Sequence, residues 1–237
     1  MPTPGVLFES CVDSLESAIA SARGGADRIE LCANLDVGGT TPDADLIQRC
    51  AEAAAVPVFV MIRPRGGAFC CDADDLRAMA RDIRQAARAG ARGLVFGALT
   101  AGGTIDIDAM RRLVDAARPL PVTCHRAFDD TRDLHEALDV LLELGVDRVL
   151  TSGGAHAAAE GAAAIADLVR RAGDALTVIA AGGVRARNVA DLVRHTRVRE
   201  VHARLLNNPP VGRVDDDQMA VWQRTIAEFI AAIPGRI

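Results

Sequence analysis

The five residues Arg28-Ile29-Glu30-Leu31-Cys32 alternate polar and apolar side chains, the period of an extended strand with two unlike faces. Ile29 and Leu31 share one face; Arg28, Glu30 and Cys32 share the other. Glu9 closes an earlier apolar run in the same manner, and Arg63, His125, Thr151-Ser152 and His202 close later ones. Carboxylates and imidazoles are the groups that move protons in acid–base catalysis, which makes Glu9, Glu30, His125 and His202 the candidate catalytic residues. A buried charge is costly unless paired, so Arg28 and Arg63 are expected to answer Glu9 and Glu30. One such residue would read as a stabilising polar group in a core. An Arg/Glu/His set spread over five or more strands reads as a site.

Three loops extend this set toward anion chemistry. Ile62-Arg63-Pro64-Arg65-Gly66-Gly67 offers Arg63 and Arg65 around a rigid proline, suited to bidentate capture of an anion or equally to a solvated turn. His125-Arg126-Ala127-Phe128-Asp129 places Arg126 beside the imidazole, with Asp129 either orienting His125 or capping the next helix. Ala181-Gly182-Gly183-Val184 provides backbone N–H groups at Gly182 and Gly183 of the kind that cradle phosphate, and Ser152 adds a hydroxyl. His135, His156 and His195 fall on helices or loops and read as surface residues.

The elements that must position these groups follow from periodicity. Strands are expected near Val6–Ser10, Arg28–Cys32, Val58–Ile62, Gly93–Ala98, Val122–His125, Arg148–Ser152, Thr177–Ala181 and Glu200–Ala203, separated by amphipathic helical spacing such as Leu134-Leu138-Leu141-Leu142. Asp13-Ser14-x-Glu16 and Thr41-Pro42-Asp43 are helix starts, with Pro42 expected in a first helical turn. The phrases GGADRIEL, AGARGLVF and LGVDRVLT recur where a helix hands over to a strand. Their glycines are expected to be left-handed caps. Eight alternating βα units close most simply into a single (β/α)8 barrel over 1–237; the doubly wound competitor lacks a G-x-G-x-x-G turn at the first helix. Helix six is expected within His156–Ala166. Residues 204–237 form a C-terminal extension with an Asn-Asn-Pro-Pro-x-Gly turn and an extra helix near Asp216–Ile233, expected to cover a barrel end or an oligomer contact.

Composition removes whole mechanisms. All 27 basic residues are arginine, so Schiff-base, pyridoxal phosphate and P-loop chemistry, each of which needs a lysine, are excluded. No organic cofactor is expected. The net charge of -5 and the lack of a basic run argue against a nucleic-acid partner. No apolar run approaches the roughly 20 residues that span a bilayer, and the acidic start MPTPGVLFESCVDS is unlike a signal peptide, so the expectation is a cytoplasmic protein without a membrane partner. Six cysteines without a C-x-x-C pair are expected to be reduced thiols.

The runs GGADRIELC, IRPRGG-x-F, CHRAFD, RVLTSGG and EVH, in this order over roughly the first 205 residues, resemble the CutC family of copper homeostasis proteins. The resemblance implies a barrel, a cytoplasmic location, a homodimer or homotetramer, and a role in copper tolerance with Cu(I) bound. It maps inward residues onto Glu9, Arg28, Glu30, Cys32, Arg63, His125, Arg126, Asp129, Ser152 and His202. Two departures are Ala203-Arg204-Leu205 after the last-strand histidine, where relatives carry hydroxyls or thiols, and Ala68 in place of an acidic residue. Two readings stay open. One is a Cu(I) protein with Cys32 and Cys11 as metal ligands, since soft thiolates suit that ion. The other is an enzyme acting on a small anionic or phosphorylated metabolite, with the glutamates and His125 transferring protons and Arg63 and Arg65 holding the anion.

Overall fold

A computed structural model describes residues 5–206 and 214–235. Eight parallel strands close into a barrel in sequence order: β1 (Leu7–Val12), β2 (Arg28–Leu31), β3 (Val58–Met61), β4 (Gly93–Phe96), β5 (Val122–Cys124), β6 (Arg148–Thr151), β7 (Thr177–Ala180) and β8 (Glu200–Ala203). Helices alternate with them: α1 (Leu15–Arg23), α2 (Ala44–Ala53), α3 (Ala73–Arg88), α4 (Ile107–Ala117), α5 (Leu134–Glu143), α6 (Ala162–Ala172), α7 (Ala186–Thr196) and α8 (Asp216–Ala231). This is a (β/α)8 barrel. No helix among the described residues is long and apolar enough to cross a membrane.

Strand parity divides the core in two. Phe8, Ile29, Leu31, Val60, Leu94 and Phe96 face outward into the layer under the helices. Cys11, Cys32, Phe59, Met61, Val95, Leu150 and Ile179 fill the barrel itself. The closing helix α8 lays Phe229 against Phe8, ring centroids 4.6 Å apart, and packs between α1 and α7. It thus completes the outer ring rather than covering a barrel end. The Asn-Asn-Pro-Pro-x-Gly turn lies outside the described residues.

The recurring phrase has a physical meaning at each position. Gly25, Gly90 and Gly145 all take positive φ, the left-handed cap that turns each helix into the following strand. The aspartate of the first and third copies pins the start of the preceding strand: Asp27 accepts from the Phe8 N–H at 2.7 Å and Asp147 from the Val122 N–H at 2.8 Å. The arginine after it, Arg28 or Arg148, points into the barrel floor, and each guanidinium lies over Phe59, at 4.8 and 5.4 Å from the ring centroid. The second copy carries Gly93 at this place. A side chain there would meet the Phe59 ring at 2.4 Å, so the glycine is the seat of that ring.

Several boundaries shift. β1 begins one residue later than expected but runs on to Val12, which brings Cys11 onto the inner face. Pro42 precedes α2 instead of starting it, because Asp43 is the cap and accepts from the Leu46 N–H. Helix six runs over Ala162–Ala172, later than the expected His156–Ala166, since Gly153 and Gly154 hold the chain in left-handed turns before it.

Candidate functional site

The register of the parallel pairs sets the inner charges side by side: Glu9 lies opposite Arg28 on one flank and His202 on the other, and Cys11 lies opposite Glu30. The side chains then form a continuous chain of alternating charge along the barrel. Arg148 Nε stands 3.6 Å from Glu200, and Glu200 and Glu9 both ion-pair with Arg28. Glu9 Oε1 lies 2.8 Å from His202 Nδ1, and His202 Nε2 lies 3.7 Å from Glu30. Cys32 donates its thiol to Glu30 at 3.5 Å. Cys11, Glu30 and Cys32 have ligand atoms within 4.8 Å of one another, and so do Glu9, Glu30 and His202, with Glu30 common to both groups.

The environment drives the two carboxyls apart. Burial opposes ionisation of Glu9, but the Arg28 guanidinium and His202 outweigh it and hold the group at about 2. Glu30 rises well above the usual carboxylate range, because burial and the neighbouring Cys11 and Glu9 charges outweigh His202. His202 is raised despite burial by Glu30, Cys11 and Glu9. The Cys32 thiol pulls Cys11 down to about 5 against the effect of burial, with His202 assisting, while Cys32 itself is raised. The two thiols are thus driven in opposite directions, and among the described residues Glu30 Oε1 is buried without a hydrogen-bond partner.

A loop closes over this cluster. After β2 the chain turns through Asn34 in the left-handed region, a short 3-10 turn at Leu35–Val37, and Gly38 and Gly39 at positive φ. Gly39 approaches so closely that a Cβ would sit 3.3 Å from Cys32 Sγ. Arg63 fastens the loop, donating to the carbonyls of Val37, Gly39 and Gly67 at 3.2, 3.0 and 2.7 Å, and its guanidinium lies 4.7 Å over Phe69. The pairing expected between Arg63 and a glutamate is thus replaced by carbonyls, which satisfy its fork of donors without a charge. Exposed Arg65 grips the largely covered Asp75 and the Cys70 carbonyl.

Arg126, Asp129, Ser152 and Gly182 come together on the loops after β5, β6 and β7. Asp129 accepts from Arg126, from the Thr151 and Ser152 hydroxyls, and from the Ser152 and Gly154 N–H groups. The cap of α5 is Asp133 instead. Arg126 also donates to Ser152, and Gly182 leaves it room, since a Cβ there would meet the guanidinium at 3.2 Å. Gly183 shares the left-handed conformation. Sequence reasoning missed Glu200, Arg148 and Phe59. The signal for Glu200 was its parity with His202, and for Arg148 its match to Arg28 in the repeated phrase.

His125 stands apart from the glutamates. Its Nδ1 accepts from the Ala127 N–H at 3.2 Å, and its ring packs 4.9 Å from Phe69. Burial and the Arg63 charge lower it to about 3, so it is neutral. Folding then disfavours its protonation: stability is full above the unfolded value near 6.5 and falls by about 1.4 kcal/mol per pH unit below it. Glu9 contributes no slope until about pH 4.5, the upper edge of its own window. His125→Asn, whose Oδ1 can replace Nδ1 as acceptor, is expected to lose less stability than wild type between pH 6.5 and 4.5 in urea titrations. Parallel curves for the two proteins would contradict a neutral buried imidazole.

The comparisons with known proteins agree with the barrel fold. The model of the CutC family matches residues 6–206. A relative from Mesorhizobium japonicum described as a family protein CutC is 42% identical over 231 residues, covering 94% of this chain and 90% of its own length. The human protein described as "Copper homeostasis protein cutC homolog" is 48% identical over 198 residues, covering 84% of this chain and 72% of its own. A crystal structure of the putative copper homeostasis protein CutC from Streptococcus agalactiae superposes with a TM-score of 0.79 at 34% identity, over 83% of this chain and 97% of that one. The family model spans every strand of the barrel, and the chain belongs to the CutC family.

Proposed function

We propose that this protein serves copper homeostasis by binding Cu(I) as cargo between Cys11 and Cys32, with Glu30 and His202 beside them. The observation that carries this reading is the convergence of two buried thiols and a carboxylate within 4.8 Å at neighbouring strands, with Cys11 already favouring the thiolate at about 5. A soft thiolate pair suits Cu(I), and the orphaned Glu30 Oε1 is a spare acceptor at the same place. The names of the relatives point to the same cargo. The thiols call for a reducing setting, and the cytoplasm is the compartment we assign.

A second reading, an acid–base enzyme for a small anion, has one observation in its favour: Glu9 and Glu30 are driven to opposite ionisation states around His202, as an acid and a base must be. Against it, Arg63 and Arg65 spend their donors on carbonyls and Asp75. The two readings separate in one experiment on the whole chain. Under anaerobic conditions, a chelator competition with Cu(I) and a thermal-shift panel of phosphorylated and carboxylated metabolites are run side by side. Tight Cu(I) uptake with no anion response supports the copper reading. Stabilisation by an anion with no Cu(I) uptake overturns it in favour of the enzyme.

A further inference from the structure

A second group of sulfurs lies on the far side of the Arg63–Phe69 wall. Cys71 Sγ is 3.8 Å from Met79 Sδ on α3, and both line a small cavity together with Arg63, Arg65, Phe69 and Asp75. Met79 is buried at 1% exposure, whereas Cys71 is only partly covered and Cys70, next to it in the chain, is exposed. A thiol and a thioether are both soft donors, the type that selects Cu(I) over hard cations. Their separation fits shared ligation: a metal bonded to each at roughly 2.3 Å, the usual metal–thiolate length, would see them about 110° apart.

The position of this pair is as informative as its chemistry. Arg63 borders the cavity on one side, and on the other it holds the Gly39 carbonyl of the loop that lies over Cys32. The outer sulfurs and the inner thiols are therefore separated by a residue that fastens the loop. We propose that Cys71 and Met79 form an outer Cu(I) site, from which the ion passes to the sealed inner cluster when Arg63 releases the loop. The identity of the ion rests on the copper reading above; the existence of the site does not.

The test is a Cu(I) titration of the full chain against a competing chelator, without oxygen, for wild type, Met79→Leu, Cys71→Ser and the Cys11→Ser/Cys32→Ser double variant. Met79→Leu conserves volume in the core, so the variant is expected to fold. Wild type is expected to take two equivalents. Met79→Leu and Cys71→Ser each lose the weaker one and keep the tighter. The double serine variant keeps one equivalent, which adding Met79→Leu removes. If Met79→Leu and Cys71→Ser leave both the stoichiometry and the affinities of wild type unchanged, the outer site is overturned while the inner reading stands. A double serine variant that still binds two equivalents overturns the inner reading alone.

Discussion

Arg28→Leu is expected to lower the free energy of unfolding by about 3–5 kcal/mol, the typical cost of removing one partner from a buried ion pair. The magnitude follows from what the substitution abandons. Glu9 and Glu200 both pair with Arg28, and both lie in the barrel interior at 1% and 6% exposure. Leucine leaves the two carboxylates with no bridging charge, and it strips one face of Phe59 of its guanidinium. The pH profile gives a second readout. With its folded pKa at about 2, below the ordinary value, Glu9 adds stability that is present above pH 4.5 and lost as the pH falls toward 2. Without Arg28 the folded value rises toward the unfolded 4.5 and that contribution shrinks. Urea unfolding of wild type, Arg28→Leu and Glu9→Gln/Arg28→Leu measures both effects, and the double variant is expected to recover part of the loss. A single-variant loss under about 1 kcal/mol would mean the chain of charges is solvated, against the burial.

That chain of charges also marks what the sequence reveals and what it withholds. The eight strands were readable because each is a short apolar run, and the entry to three of them is announced by a left-handed glycine, at Gly25, Gly90 and Gly145. Parity alone assigns Arg28, Glu30 and Cys32 to the interior. Arg148 and Glu200 escaped because they open their strands, where a charge is ordinarily a solvated flank; only closure of the barrel makes the floor dry. Arg63 is the opposite case. Its position at a strand end was legible, but its partners are carbonyls of Val37 and Gly39, about two dozen residues earlier, and of Gly67. Backbone carbonyls carry no residue-type signal. The path of a glycine loop cannot be read from composition, so an arginine that fastens a loop looks like one that awaits an anion. Cys11 depended on a boundary: a strand ending at Ser10 leaves it in a loop, and one ending at Val12 places it opposite Glu30.

Replacing Cys11 and Cys32 together by serine is expected to weaken Cu(I) binding by about ten-thousandfold. Four-ligand structural metal sites are worth about 10–16 kcal/mol, so each ligand carries about 3 kcal/mol, or roughly a hundredfold. Serine keeps the size and polarity of the thiol, and the hydroxyl at position 32 inherits the Glu30 acceptor that Cys32 uses at 3.5 Å. The fold is therefore expected to survive, which circular dichroism and urea unfolding check. The comparison with Glu30→Gln decides what kind of ion the cluster prefers. A soft ion follows the sulfurs, so the carboxylate variant should lose only about ten- to a hundredfold, as a supporting group does. A hard divalent ion would reverse that order, tolerating the serines and failing with the amide, because Glu30 belongs to both groups of candidate ligands. Chelator competition with Cu(I) and with Mn(II) on these two variants measures the order directly. If the serine double variant holds Cu(I) as tightly as wild type, the copper reading fails. Glu9, Glu30 and His202 then remain as the carboxylate–imidazole set on which acid–base chemistry would be built.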